Sequence, residues 1–319
     1  MLDPETTQRT GVESALGEIK ALVQNRKFAR AEERLLEIIA VDNEHEEALY
    51  MLAVCQRYRK HYPTALETLG TLTALAPENG RAHQELGHTH RAMGNAAAAL
   101  GAYSRAIQIN PALEASFSAQ IDILNATGRS QSTAWLKQQL AALQSMPKPL
   151  VAVTDLIAQG KFVKAEHLCK AFMQKVPRHV EGMRLLAEIG SRLGVFDDAE
   201  FLLESAVEFE PDNARVRIDY IQVLRKRQNY EEALRQAKIL LAKNPKNPQF
   251  QSVFAVESMQ SGDYDTALET FQSILKILPE DPVTLTSRGH ALKTRGQTDD
   301  AIDSYRRAIK KFPGHGEAY

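Results

Sequence analysis

The sequence predicts an all-α chain of stacked helix–turn–helix units, about nine of them, and three columns of residues carry that prediction. Prolines fall at 177, 211, 245, 279 and 313, a step of 34 residues repeated four times. Twelve residues before each stands Ala165, Ala199, Ala233, Ala267 or Ala301. Seventeen before stands glycine at 160, 194, 262 and 296, with Gln228 breaking the column. Small residues at fixed phases of such a period mark helix pairs that bury a continuous core only by stacking on their neighbours.

Each column has a physical role. Glycine suits the left-handed residue that ends the first helix, because it has no Cβ to clash. An aromatic then opens the second helix, as in Phe28, Tyr62, Phe162, Phe196, Tyr230 and Tyr264. Alanine lets that helix lie close against the first. Proline closes it, lacking an N–H and disfavouring helix in the residue before it. Pro-x-Asn/Asp follows at Asn79, Asn213, Asn247 and Asp281, placing an N-cap ahead of the next helix. Pro248 and Pro282 then occupy the first turn, where proline is tolerated.

The register extends to the N-terminus through Pro111 with Ala99 and Gly94, Pro77 with Ala65, and Ala31 with Asn43 at the proline phase. The fourth unit departs, with Thr133 and Ser145 at the alanine and proline phases, and the step from Gly128 to Gly160 is 32 residues. Pro147 and Pro149 follow and should shorten the first helix of repeat five. The organisation expected is a tail at 1–10, repeats one to four over 11–146 and repeats five to nine over 147–319. A local shortening that leaves the stack smooth is the alternative to a change of stacking angle at that seam.

Of the 319 residues, 25% are charged and 44% hydrophobic, with a formal net charge of −1. Disorder is not indicated, and there is no global attraction to nucleic acid or an acidic membrane. No apolar run approaches the ~18 residues that a membrane span needs, and Met1–Lys20 has no basic segment followed by an apolar one. A cytoplasmic location is the default expectation. Cys55 and Cys169 lie far apart in helical patterns, which favours buried thiols over a disulfide.

The columns resemble the tetratricopeptide repeat family. Leu86-Gly87, Ala99, Tyr103, Ala106 and Pro111 match its pattern in one unit, and Gly289, Ala301, Tyr305, Ala308 and Pro313 in another. The likeness runs from about Val12 through nearly the whole chain. It implies a right-handed α-solenoid whose first helices line a concave groove. The closing stretch Phe312–Tyr319 reads as a tenth repeat cut at its start. It also resembles the seam that precedes a sulfotransferase domain in bacterial repeat proteins, which would place such an enzyme beyond residue 319. The phosphate-cradling Pro-x-Arg-Ser-Gly-Thr-Thr of such an enzyme does not occur in this sequence.

Motifs of catalysis are missing from the sequence. There is no Gly-x-x-x-x-Gly-Lys-Ser/Thr, no Gly-x-Ser-x-Gly and no His-Glu-x-x-His. His83 and His90 share a helix face but stand about 10.5 Å apart along the axis, too far for one zinc. His88 points away from both. Asp197-Asp198, Glu231-Glu232 and Asp299-Asp300 recur in the first turn of second helices, where negative charge favours the helix dipole. Trp135, the one tryptophan, is expected in the core. No catalytic, metal or cofactor residue is expected.

The resemblance implies which residues face the groove. Numbering the closing proline as phase 32, the inward phases are 2, 5, 9, 12 and 13. Repeat two then offers Tyr50, Arg57 and Tyr58; repeat three Arg81, Gln84, His88 and Arg91; repeat four Asp122 and Asn125. Repeat six offers Arg184, Glu188 and Arg192, repeat seven Arg215, Gln222, Arg225 and Lys226, and repeat nine His290 and Lys293. Guanidinium forks suit carboxylates, and concave walls concentrate their field. The expected function is a protein-interaction scaffold holding an acidic extended peptide, with no catalysis in this chain. The alternative for the arginines is a solvated face with Glu47, Glu181 and Glu188 as partial counter-ions. The alternative for the whole is a substrate-presenting or oligomerising arm of a sulfotransferase. Self-association through the last repeat is a third expectation. Nucleic-acid and membrane partners are not expected, for want of a basic stripe with interleaved aromatics. Chaperone docking is not expected either. Phases 5 and 9 offer Gln84/His88 and Ser118/Asp122 where the family's terminal-carboxylate clamp needs lysine and asparagine.

Overall fold

The computed structural model describes residues 4–312, with side chains from residue 13 onward. Pro313–Tyr319, on which both the tenth repeat and the sulfotransferase seam rest, lie outside the described residues. The elements are all helical. The pairs are α1 (Pro4–Gln24) with α2 (Phe28–Val41), α3 (Glu46–Tyr58) with α4 (Tyr62–Leu75), and α5 (Gly80–Ala92) with α6 (Ala96–Ile109). Next come α7 (Glu114–Ala126) with α8 (Ala134–Ser145), α9 (Lys148–Ala158) with α10 (Phe162–Met173), and α11 (Val180–Arg192) with α12 (Phe196–Phe209). The last are α13 (Ala214–Lys226) with α14 (Tyr230–Lys243), α15 (Pro248–Gln260) with α16 (Tyr264–Ile277), and α17 (Pro282–Thr294) with α18 (Thr298–Lys311). The first helix begins at Pro4, inside the stretch 1–10 set apart as a tail. The chain divides into two compact units, residues 1–168 and 169–319, and the division falls within α10.

The turn inside every pair has one geometry. Arg26, Lys60 and Gln228, and Gly94, Gly128, Gly160, Gly194, Gly262 and Gly296, all have φ between 57° and 86°. At Gly94 the following Asn95 N–H reaches back to the His90 carbonyl at 2.9 Å, and Gly94 N–H to that of Arg91 at 3.0 Å. At Gln228 the same two bonds run from Asn229 to Leu224 at 2.9 Å and from Gln228 to Arg225 at 3.0 Å. This is the Schellman closure of a helix end. The residue that completes it doubles as the N-cap of the next helix, Asn95 Oδ1 accepting from Ala98 N–H at 3.2 Å and Asp263 Oδ1 from Thr266 N–H at 3.1 Å.

The left-handed conformation costs a residue with a Cβ about 1 kcal/mol, partly offset by glycine's greater freedom when unfolded. Gln228→Gly is therefore expected to raise stability by about 0.5 kcal/mol. Gly262→Ala should lower it by about 1 kcal/mol. Urea unfolding of both variants checks the two signs.

Between repeats, the predicted caps form. Asn79, Asn213 and Asp281 each accept from the backbone three residues on, at 3.1, 3.2 and 2.8 Å. His45 and His179 hold the same position and use Nδ1, accepting from Ala48 N–H at 3.4 Å and Gly182 N–H at 3.2 Å. A second device recurs six residues after the closing proline. His83, Arg217 and Gln251 bond the carbonyls of Pro77, Pro211 and Pro245 at 2.9, 2.8 and 2.9 Å.

The alanine column is sealed, with Ala31, Ala65, Ala99, Ala165, Ala199, Ala233 and Ala267 all 0% exposed. Gly87 and Gly289 make room for rings: a Cβ on either would lie 2.5 Å from the ring of Tyr103 or Tyr305. Cys55 and Cys169 are buried thiols, and burial pushes them up to about 12 and about 11.

The irregular fourth repeat has a 3-10 turn, Ser130–Thr133, ahead of α8, and α9 has 11 residues where the other first helices from α3 on have 13. Trp135 corrects an expectation. It is 58% exposed, with its ring 6.4 Å from Phe117. The 3-10 turn carries Thr133 inward, and Leu136 and Leu143 form the buried stripe of α8, which leaves Trp135 on its flank.

Candidate partner-binding groove

In the unit 169–319, helices α11 and α13 each divide into an apolar face and a charged one. Val180, Met183 and Ala187 of α11 and Val216, Tyr220 and Ile221 of α13 join one core, with α12 and α14 contributing Leu203 and Leu240. At these apolar contacts the two first helices lie alongside one another, and their polar sides line a cavity of about 580 Å³. Phe196, Leu203 and Val223 form its apolar wall. Arg184, Glu188, Arg192, Arg215, Asp219, Gln222 and Lys226 supply its charge and polarity.

Arg184 is the floor rather than a presented cation, being 4% exposed. Its Nε and Nη2 each donate to Glu181 at 2.9 Å, and its Nη1 donates to Glu188 at 3.2 Å and across to Asp219 on α13 at 2.9 Å. Burial alone would lower its pKa, but the hydrogen bonds it donates to Glu181 and the charges of Glu181, Asp219 and Glu188 raise it above the ordinary value. A buried guanidinium needs such partners, since one left unpaired would cost several kcal/mol of desolvation. The two carboxylates that line the cavity, Glu188 and Asp219, are thereby both hydrogen-bonded to Arg184. Arg215, 61% exposed, makes a looser contact of 3.5 Å to Glu181. Arg192 and Lys226 end their helices exposed on the rim, and neither has a carboxylate at ion-pair distance among the described residues. A cation there complements the helix C-terminus but remains available to a ligand. Gln222 is exposed between Arg215 and Lys226. Arg225 faces elsewhere, its Nε 3.1 Å from the fully buried Glu257 of α15. In the last repeat His290 Nδ1 meets the Tyr305 hydroxyl at 3.0 Å, and Lys293 is exposed.

The unit 1–168 disposes of its arginines differently. Arg57 pairs with Glu85, which is 4% exposed, Arg91 with Asp122 at 3.1 Å, and Arg81 lies 3.8 Å from Asp155. Gln84 donates to Ser116 Oγ at 3.0 Å, and Asn125 is exposed. His88 Nδ1 meets the Tyr103 hydroxyl at 2.7 Å; burial, with Arg57 and Arg91 acting in the same direction, pulls His88 down to about 4. Tyr58 stacks on Phe28 at 4.5 Å, with the Arg57 guanidinium 4.3 Å from its centroid. Tyr50, raised to about 12 by burial first and Glu85 next, lines a separate cleft of about 780 Å³. That cleft carries Asp42, Glu44, Glu46, Glu47 and Glu78 against Arg81 and Lys161. Its arginine therefore stands among carboxylates.

Sequence reasoning offered Glu181 and Glu188 as counter-ions, and both contact Arg184, but it missed Glu85 and Asp219. Glu85 and Asp219 occupy the same phase, nine residues before the left-handed position at Gly94 and Gln228, and each takes an arginine of the preceding repeat. That shared phase was the available signal. Glu47, expected beside an arginine, pairs with Lys20 at 2.9 Å. Among the described residues no group of three His, Cys, Asp or Glu could hold a metal ion, and no helix is long and apolar enough to cross a membrane.

Comparison with known proteins bears on this architecture. The family described as "Tetratricopeptide repeat" matches residues 16–60, 56–114 and 286–319. The "Cytochrome c-type biogenesis protein H TPR domain" matches residues 169–284. The repeats are tetratricopeptide repeats. A 63-residue stretch is 35% identical to the Small glutamine-rich tetratricopeptide repeat-containing protein 2 of Mycosarcoma maydis, covering 20% of this chain and 18% of that relative's length. Among solved structures, MamA 41-end from Desulfovibrio magneticus RS-1 aligns over 54% of this chain and 99% of its own at 13% identity, TM-score 0.46. The APC/C hetero-tetramer Cut9-Hcn1 aligns over 95% of this chain and 81% of its own at 12% identity, TM-score 0.48. Tetratricopeptide repeats are generally non-catalytic scaffolds that bind protein partners.

Proposed function

We propose that the chain is a protein-binding scaffold and that the groove over α11 and α13 receives an acidic, extended segment of a partner. The observation that carries this reading is the pair Arg192 and Lys226, exposed on the rim of a 580 Å³ cavity with no carboxylate of their own. The cavity lining holds four cations to two carboxylates, and both carboxylates are engaged by Arg184. A concave wall with that balance draws in negative charge, and the guanidinium of Arg192 offers a fork that fits a carboxylate. Arg57, Arg81 and Arg91 of unit 1–168 are left out of the docking set because each already faces a carboxylate.

The test is fluorescence anisotropy of a labelled glutamate-rich decapeptide with the full chain at about 0.1 M salt, where exposed charges still act over about 10 Å. Reversing both rim charges, Arg192→Glu with Lys226→Glu, should weaken binding about tenfold and flatten its salt dependence. Unchanged affinity in that double variant would overturn the reading.

A further inference from the structure

The spacing of the two rim cations decides what the groove can read in its partner, a step that rests on the function proposed above. Arg192 and Lys226 are the final residues of α11 and α13, and they stand one repeat, 34 positions, apart. Each precedes the left-handed residue of its turn, Gly194 or Gln228, by two positions, so the two side chains leave equivalent points of equivalent helices. The helices are held side by side by Arg184 to Asp219 at 2.9 Å and by Arg215 to Glu181 at 3.5 Å. Neighbouring packed helices lie about 8–10 Å apart, so the two helix ends that carry the cations are about that far from one another.

An extended chain in the polyproline II form has three residues per turn and rises about 3.1 Å per residue. Side chains three apart therefore share a face and stand about 9.3 Å from one another. Adjacent side chains point in different directions and lie only about 3.1 Å apart along the axis. A competing path runs along α13, from Arg215 to Lys226, about 16.5 Å at the helical rise. A strand would cover that path in about five residues at about 3.3 Å each, but side chains five apart in a strand face opposite sides, so only a twisted chain could bring both acids to one helix. Arg215 is partly engaged by Glu181, whereas Arg192 and Lys226 have no carboxylate at ion-pair distance among the described residues, so the path across the two helices offers the stronger pair of sites.

We infer that the groove selects an extended segment with acidic residues at positions i and i+3, one carboxylate on Arg192 and the other on Lys226. The partner crosses α11 and α13 rather than lying along either of them.

The experiment uses proline-rich decapeptides of one composition that carry two glutamates adjacent, three apart or five apart, and a fourth with glutamine in place of both. Affinities for the full chain are measured by anisotropy. The three-apart peptide should bind about fivefold tighter than the adjacent isomer, the size expected of one additional exposed charge pair. That margin should vanish in Arg192→Gln and in Lys226→Gln, both of which alter exposed side chains and leave the fold intact. Equal binding of all three acidic isomers, or a preference for the five-apart one, overturns the inference while leaving the proposed function standing. Failure of every acidic isomer to bind better than the glutamine peptide overturns both.

Discussion

Replacing Gly87 by alanine should destabilise the protein by about 3 kcal/mol, although alanine is normally the better helix residue by about 1 kcal/mol. The reason is local. The added Cβ would stand 2.5 Å from Cε1 and 2.6 Å from Cδ1 of Tyr103, a ring that is itself 0% exposed. The ring has nowhere to go, because its edge meets His88 at a centroid distance of 5.3 Å and its hydroxyl bonds that imidazole. Gly70, also inside a helix, has nothing within 4 Å of its missing Cβ, and Gly70→Ala should stabilise by up to about 1 kcal/mol. Urea unfolding of both variants should give opposite signs. A double-mutant cycle with Tyr103→Ala isolates the clash, since the pair of changes should cost about 2 kcal/mol less than the sum of the two.

Glu257→Gln should have an effect that depends on pH. Glu257 is 0% exposed, and neither of its carboxylate oxygens receives a hydrogen bond. Burial pushes its pKa up to about 7, with Arg225 at 3.1 Å pulling the other way and not prevailing. A carboxyl whose folded pKa lies above its unfolded one is most favourable to folding below the unfolded value. That contribution is lost as pH rises towards the folded one. Each tenfold difference in proton affinity between the folded and unfolded chain corresponds to about 1.4 kcal/mol. The wild-type chain should therefore lose about 3 kcal/mol between pH 4.5 and pH 7 through this group, beyond changes elsewhere. The glutamine variant, which stays neutral, should be more stable by about that amount at pH 8 and equal to wild type at pH 4.5. If instead the ion pair with Arg225 is net stabilising, the variant will be weaker at pH 8.

Much of the architecture was legible before the structure, because it is written in single residues at fixed phases. Proline, alanine and glycine act through their own backbone or volume, so Pro211, Ala199 and Gly194 can each be understood alone. Three of the nine left-handed residues, Arg26, Lys60 and Gln228, broke the glycine column without breaking the turn. The two reverse hydrogen bonds hold that conformation whichever residue occupies it. Trp135 was misplaced although its phase was legible: it stands two residues after the alanine column, where Glu67, Phe201, Arg235 and Glu269 are likewise exposed.

The groove was less legible, for a related reason. Inward phases identified Arg184, Arg192, Arg215, Gln222 and Lys226 as neighbours, and they do line one cavity. Phase alone could not distinguish the buried Arg184 from the exposed Arg192, since both are arginines on inward positions. Glu181 and Glu188, three and four residues away on the same helix, were legible, whereas Asp219, 35 residues away, is a partner that only the folded helices bring to Arg184. The same holds for Arg57 with Glu85 and Arg225 with Glu257, 28 and 32 residues apart.

The central claim is that an acidic partner lies across α11 and α13, and nuclear magnetic resonance of the full chain tests it most directly. Titration with the three-apart glutamate peptide should shift the side-chain Nε–Hε signal of Arg192 and the backbone signals at the C-terminal ends of α11 and α13. The enclosed Arg184 should move little. Shifts confined to the outer helices α12 and α14, or to residues 1–168, would contradict the claim.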